Sequence, residues 1–317
     1  MINNPKVSVC ITTYFHEKYI AQALDSVLKQ AVSFEYEICV SDDASEDNTQ
    51  AILLQYEKKY PNIRLNFNSE NIGLTRNFDK VYSMARGKYV VVLSGDDYYI
   101  DDCKLQKQFD FLENDIEHHF SGVATSIETR FDNEVRPQRI YPNKKILKHQ
   151  PFSLEMFMKG LNCPLNGIMT RNYWLSSDKN DMKLMVDASK FIDDITLSIL
   201  YLQKGDIFIL ADICTAYRVQ KKIKEKHNFN SINKGFSSFA KHVSNLNYLH
   251  EVFKDLDFFH RYKLVLKDGY AILFRTRGFK AFNTIYKEIP KEYRKRCLKF
   301  RTIISLIPRF FKKVFRH

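Results

Sequence analysis

Two periodicities alternate through the first part of the chain, and no other feature limits its fold as much. Val7 to Thr12 is a short apolar, β-branched run with almost no alternation, the pattern of a parallel strand buried on both faces. Ile20, Leu24, Val27 and Leu28 follow at i, i+4, i+7 and i+8, one face of a helix. The spacing then predicts a strand over Glu37–Ser41, a helix over Ala51–Tyr60 ended by Pro61, and a strand over Ile63–Asn68. A third helix carries Phe78, Val81, Tyr82 and Ala85 with Gly87 as its stop, and Tyr89–Leu93 is a fourth strand. Such alternation predicts an α/β fold: a doubly wound, mostly parallel sheet flanked by helices and joined by right-handed crossovers.

Beyond Leu93 the regularity loosens. A helix is expected near Leu105–Leu112, a strand near Gly122–Ile127, and a polar segment without clear period over Asn133–Gln150. Gly167–Thr170 and Ile207–Leu210 are further predicted strands, and Ile195–Leu202 a helix stopped at Gly205. These elements suggest one α/β domain over residues 1–220, with a first half to about residue 100 and a second half over 101–220. A helical, basic extension follows over 221–317. The formal net charge of +12 is concentrated there: from Phe258 onward 17 Lys/Arg stand against 3 Asp/Glu, while the first 257 residues hold 32 against 34. The hydrophobic fraction of 44% excludes general disorder. The six cysteines are far apart and show no zinc or redox spacing, no secretory leader is apparent, and no stretch matches a membrane span. Together these predict a cytoplasmic protein.

In an open parallel sheet, ligands bind beyond the carboxyl ends of the strands. Three predicted strands end there in polar clusters: Thr12-Thr13-Tyr14, Ser41-Asp42-Asp43-Ala44-Ser45 and Ser94-Gly95-Asp96-Asp97. No GxGxxG follows the first strand and no GxxxxGK[ST] occurs anywhere, so a nucleotide diphosphate has no glycine-rich cradle. Asp96-Asp97, preceded by a glycine that allows close backbone approach, suits a hard dication, Mn²⁺ or Mg²⁺, bridging carboxylate and phosphate oxygens. Aspartates at a strand end also cap helices, and Asp42 and Ser45 are assigned that role.

Val7–Tyr14, the Ser41–Asp47 loop, Asn71-Ile72-Gly73 with Arg76-Asn77, and Ala85–Tyr89 leading into Leu93–Asp97 together resemble the family 2 glycosyltransferases of the GT-A fold, over roughly residues 5–220. The resemblance implies transfer of a sugar from a nucleotide-diphosphate donor, usually with inversion, using a divalent metal at a carboxylate pair. It implies that Thr12 and Tyr14 frame the nucleotide base, Asp43 accepts from the ring NH, Arg76 belongs to the donor side, Asp96 meets the ribose or sugar, and Asp97 ligates the metal. An aspartate at a ring NH favours uracil or thymine over cytosine, hence a UDP or dTDP donor. Ser94-Gly95 departs from the Asp-Ala that many members carry, which weakens inference about the sugar.

By the same resemblance, the acidic pair in Phe191–Leu197 places Asp194 as the general base and Asp193 as a cap or acceptor contact. Arg171 is a candidate for facing the acceptor, and solvated arginine is the competing assignment. Tyr217-Arg218 matches the family's Tyr-Arg segment but lacks the histidine that often follows; Lys221 or Lys222 are candidates to supply that charge. The last twenty residues place Phe300, Ile303, Ile304, Ile307, Phe311, Val314 and Phe315 on one helical face, opposed by Lys299, Arg309, Lys312 and Arg316. That pattern suits a helix in an anionic membrane interface; packing on the catalytic domain or on another subunit would use the same stripe. No nucleic-acid module accompanies the charge. The expected activity is thus sugar transfer to a saccharide acceptor; the alternative is a non-catalytic protein that binds nucleotide sugar on the same fold. A lipid-linked acceptor in surface polysaccharide synthesis, at the cytoplasmic face of the membrane, completes the expectation.

Overall fold

A computed structural model of the chain describes residues 4–131, 139–142, 149–175, 182–188, 194–219 and 235–297. β1 (Val7–Thr13) pairs in parallel with β2 (Tyr36–Asp42) on one side and β4 (Tyr89–Ser94) on the other, and β3 (Ile63–Phe67) extends the sheet beyond β2. The crossovers are α1 (Ile20–Leu28), α2 (Thr49–Lys59) and α3 (Leu74–Met84). Every residue of β1 is buried, as its unalternating apolar run requires. Ile11, Ile20, Leu24, Val40, Leu53 and Leu93 belong to one core with the helices that cover the sheet.

The sheet continues past β4 through a change of direction. Its order is β3-β2-β1-β4-β9-β6-β10-β5, where β5 is Tyr98–Tyr99, β6 Phe120–Phe131, β9 Met169–Arg171 and β10 Asp206–Val219. β9 runs antiparallel to both β4 and β6, while β6 and β10 are parallel to each other. The short β7 (Arg139–Tyr141), within the segment expected to have no period, and β8 (Gln150–Phe152), which begins at its last residue, flank β6 and β10. α4 (Lys104–Asn114), α6 (Leu184–Ala188) and α7 (Asp194–Leu202) complete this part, and α5 (Leu154–Met158) follows β8. The doubly wound, mostly parallel sheet is therefore present, with β10 far longer than the Ile207–Leu210 run that hydropathy marks.

Gly87 does not stop α3, which ends at Met84 with Ala85 already extended. Its smallness serves a close approach instead: a Cβ there would lie 2.7 Å from the Ser8 nitrogen. Beside it, at the amino ends of the strands, the buried Glu37 carboxylate accepts from Ser8 Oγ at 2.7 Å and Arg86 N at 2.8 Å. It also takes Arg86 Nη2 at 2.7 Å, Arg86 Nε at 3.0 Å and Arg64 Nη1 at 3.1 Å. The Ala85-Arg86-Gly87 run thus latches α3 and the start of β4 onto β1 and β2.

Backbone contacts divide the chain into two units, one of residues 1–154 and 162–221, the other of 155–161 and 222–317. In the second, α8 (Phe236–Val252), α9 (Phe259–Thr276), α10 (Phe279–Glu288) and α11 (Lys291–Cys297) pack through aromatic stacks, Phe239 on Phe282 at 5.6 Å and Tyr262 on Tyr293 at 4.7 Å. The buried Arg261 donates to the Phe157 and Leu161 carbonyls and lies 3.4 Å over the Phe157 ring, which ties residues 155–161 to this unit. No helix among the described residues is long and apolar enough to cross a membrane. The amphipathic stripe from Phe300 to Phe315 lies outside the described residues.

Candidate active site

The carboxyl ends of β1, β2, β4 and β10 converge, and the polar clusters predicted there meet. Thr12 is in register with Ser41 and with Ser94, and its carbonyl accepts from Gly95 N at 2.9 Å. A Cβ on Gly95 would sit 2.8 Å from His16 Nδ1 and 3.0 Å from the Thr12 oxygen, so only glycine lets the Asp96-Asp97 loop lie this close to the loop after β1. The β1 and β2 loops are stitched together: Phe15 N donates to Ser45 Oγ at 2.9 Å and His16 N to Thr49 Oγ1 at 2.9 Å. Phe15 (φ 56°) and Ala44 (φ 60°) both take the left-handed region, which costs of order 1–3 kcal/mol for such residues and is sustained here by those cross-loop bonds.

Asp42 does not cap α2. It closes its own turn, accepting from Ser45 N at 2.9 Å and Ser45 Oγ at 2.5 Å, and takes Gln50 Nε2 at 2.8 Å. Asp43 is buried and holds the loop before α3: Oδ1 accepts from Ile72 N at 2.9 Å and Asn68 Nδ2 at 3.1 Å, and Oδ2 from Gly73 N at 3.0 Å. Each carboxylate oxygen offers two acceptor sites, so Oδ2 retains one. Tyr14 is half-buried with its ring edge to Phe15 at 4.6 Å, and Arg76 is exposed in the first turn of α3.

Asp97 is fully enclosed by two donors that hydropathy did not point to. Asn166 Nδ2 donates to Oδ2 at 2.6 Å, and Arg218 N at the end of β10 donates to Oδ1 at 2.7 Å. Asp96 Oδ1 accepts from Ser94 Oγ at 2.6 Å. Burial, then the neighbouring Asp96 charge, push the Asp97 carboxyl well above the ordinary carboxylate range, against the pull of Arg218 and Asn166. A buried Asp97 carboxylate beside the half-buried Asp96, both hard oxygen donors, fits a divalent cation. Among the described residues no group of three or more His, Cys, Asp or Glu side chains could hold a metal, so remaining ligands would come from phosphate and water, as Mg²⁺ and Mn²⁺ accept.

Arg218 places a guanidinium beside the Asp96-Asp97 turn. Its Nε donates to the Asp96 carbonyl at 2.8 Å and its Nη2 to Gln22 Oε1 at 2.6 Å, with the guanidinium 4.6 Å over Tyr19 and 5.2 Å over Tyr98. Lys221 and Lys222 lie outside the described residues.

Arg171 is not brought to this crevice. It stands in register with Tyr89 at the start of β4 and pairs with Asp115 at 2.8 Å. A parallel strand would have carried Arg171 toward the carboxylates; the reversed direction of β9 carries it to the opposite rim. Asp194 opens α7 and is exposed. Asp193 lies outside the described residues.

The family model described as Glycosyl transferase family 2 matches residues 8–174, more than half of the chain. The chain belongs to glycosyl transferase family 2. Three mycobacterial proteins without assigned function, one from Mycobacterium tuberculosis strain H37Rv, are 40% identical over 108 residues, which is 34% of this chain and 31% of theirs. The putative teichuronic acid biosynthesis glycosyltransferase TuaG of Bacillus subtilis is 37% identical over 121 residues, 38% of this chain and 47% of TuaG. The chain thus matches under half of the length of these curated relatives. In fold it is similar to S. aureus TarS residues 1–349, crystallised with UDP-GlcNAc, with a TM-score of 0.61 and 20% identity over 91% of this chain and 82% of that one. The family 2 match ends at Trp174, before Asp194 and Arg218.

Proposed function

We propose that this family 2 glycosyltransferase transfers a sugar from a UDP-sugar to a saccharide acceptor by inverting single displacement, with Mn²⁺ or Mg²⁺ at Asp97. The buried Asp97 beside Asp96, with the Arg218 guanidinium against the same turn, carries this proposal, because it combines hard oxygen donors for a cation with a fixed positive charge suited to a diphosphate. The metal, when bound, supplies charge to the departing diphosphate. Thr12 and Tyr14 frame the base, and the remaining acceptor site on Asp43 Oδ2 takes a ring NH, which selects uracil, or thymine in dTDP, over cytosine. Arg76, exposed at the start of α3, faces the donor side. Asp96 orients the ribose or sugar. Asp194 takes the proton from the acceptor hydroxyl as its oxygen bonds to the anomeric carbon and the bond to the diphosphate breaks. Asp193 contacts the acceptor. A panel of UDP-, dTDP-, GDP- and CDP-sugars, assayed with Mn²⁺ for hydrolysis and for shifts in melting temperature, tests the donor. We expect UDP-sugars to shift it most, and preference for CDP-sugars would refute the role of Asp43.

TuaG, by its name, serves teichuronic acid biosynthesis, and TarS was crystallised with UDP-GlcNAc. These support synthesis of a surface polysaccharide, and we infer that its acceptor is lipid-linked. Access to such an acceptor requires the enzyme at the cytoplasmic face of the membrane, and the Phe/Ile stripe opposed by Lys299, Arg309, Lys312 and Arg316 suits an anionic surface. Truncation before Lys299 is expected to abolish sedimentation with phosphatidylglycerol vesicles while UDP binding persists; retained sedimentation would end the membrane assignment.

A further inference from the structure

α4 places a lysine in the protein interior. Lys104 is fully buried; its Nζ donates to Gln108 Oε1 at 2.6 Å and to the Gly167 carbonyl at 2.6 Å, and lies 4.4 Å over the Tyr99 ring. Burial pushes its pKa down to about 7, so enclosing the ammonium costs stability, and no step of sugar transfer uses it. What it holds is the turn before β9. The Gly167 carbonyl also accepts from Gln108 Nε2 at 3.0 Å, Gln108 Nε2 reaches Val123 O at 2.8 Å, and Gly167 N donates to Val92 O at 2.9 Å. Gly167 has φ +77°, and a Cβ there would lie 2.8 Å from Thr215 Oγ1 and 3.0 Å from Lys104 Cε. The turn is thus tied to α4 and β4 at one residue, with Gln108 carrying the link on to β6, and the next residue back is Asn166, whose amide is 2.6 Å from Asp97 Oδ2.

We propose that Asn166 is a positioning residue for Asp97, with its own direction set by buried Lys104 through the Gly167 carbonyl. Asn166 on Oδ2 and Arg218 N on Oδ1 fix both oxygens of the carboxylate, so its plane is set before any ligand arrives and one acceptor site on each oxygen stays in a defined direction. Preorganisation of this kind strengthens cation binding because the carboxylate gives up no rotational freedom when it coordinates. The inference rests on the assignment of Asp97 as metal ligand.

Its test uses the full chain, with Mn²⁺ affinity measured by calorimetry in saturating UDP and UDP affinity measured separately without metal. Asn166→Ala and Lys104→Met are each expected to weaken Mn²⁺ binding about tenfold, while metal-free UDP binding stays within twofold. Because both act through one carbonyl, the double variant should bind Mn²⁺ no more weakly than the weaker single variant. Unchanged Mn²⁺ affinity in Asn166→Ala, or losses that multiply in the double variant, would overturn the proposal. Asn166 is a half-buried loop side chain, so Asn166→Ala decides the matter alone if Lys104→Met does not fold. A wild-type chain that binds UDP without any response to Mn²⁺ would instead sink the metal assignment at Asp97 and this inference with it.

Discussion

Asp97→Asn is expected to lower metal-dependent sugar transfer by about a thousandfold, the scale on which a single charge-stabilising group acts at a leaving oxygen. The substitution keeps the shape of the side chain, and an amide oxygen can still accept from Arg218 N at the position now 2.7 Å away. What it removes is the charge, and it turns an amide NH₂ toward the Asn166 NH₂ that now donates at 2.6 Å. Loss of rate should therefore come with loss of Mn²⁺ response, and with a melting temperature little lowered, since the buried carboxylate is itself costly to fold. Asp194→Asn offers the contrast. It should lower transfer about 10²–10⁴-fold, the contribution of a general base, while Mn²⁺ and donor binding survive. If Asp97→Asn keeps its Mn²⁺ response, the metal is held elsewhere; if Asp194→Asn retains transfer, the base is another group.

The largest effect on stability is expected from Glu37→Gln, at about 3 kcal/mol by analogy with breaking a buried charge-assisted network from one side. The carboxylate receives five donors, and a glutamine would turn its own NH₂ toward one of them, leaving a guanidinium or backbone N–H without its acceptor. Arg64 and Arg86 are about a third exposed and can recover water, which keeps the estimate below the upper end of that range. Burial opposes the charged form, yet Arg86, Ser8 and Arg64 outweigh it and hold the Glu37 pKa below its ordinary value. A depressed folded-state pKa contributes stability above the unfolded value, lost as pH falls through the folded one. Thermal melts should therefore show wild type and Glu37→Gln furthest apart near neutral pH and converging in acid. A gap that stays constant down to acid would mean that the lost stability is packing and not charge.

The parallel half of the sheet was legible because buried parallel strands and amphipathic crossover helices have different periods, and β1, β2, β3 and β4 fall where hydropathy puts them. Asp96 and Asp97 were legible for a related reason: a parallel strand must end somewhere, and polar residues at its carboxyl end have few uses besides caps and ligands. β9 was visible as a short apolar run, but hydropathy carries no sign of direction and so could not say at which end of the sheet Arg171 stands. Asn166 and Lys104 gave no signal at all. An asparagine next to a glycine reads as a turn, and a lysine at the start of a helix reads as solvated; their roles exist only because α4, β4 and the turn before β9 meet in three dimensions. Asp42 misled in the opposite sense, since a cap and an internal turn use the same residue type at nearly the same spacing. Gly87 followed the same course, where a stop signal proved to be a contact distance.

The reversal of β9 also sets where the chain after it is anchored. The strand is about 7 Å from its first residue to its last, with Asn166 before it beside Asp97 and Arg171 ending it in register with Tyr89. Beyond Arg171, Asn172 donates to the Gly87 carbonyl at 2.9 Å and Trp174 Nε1 to Asp79 Oδ1 at 3.2 Å. A change in the chain after Trp174 therefore meets the anchors of Asn172 and Trp174 before it can pull on β9 or on the turn beside Asp97.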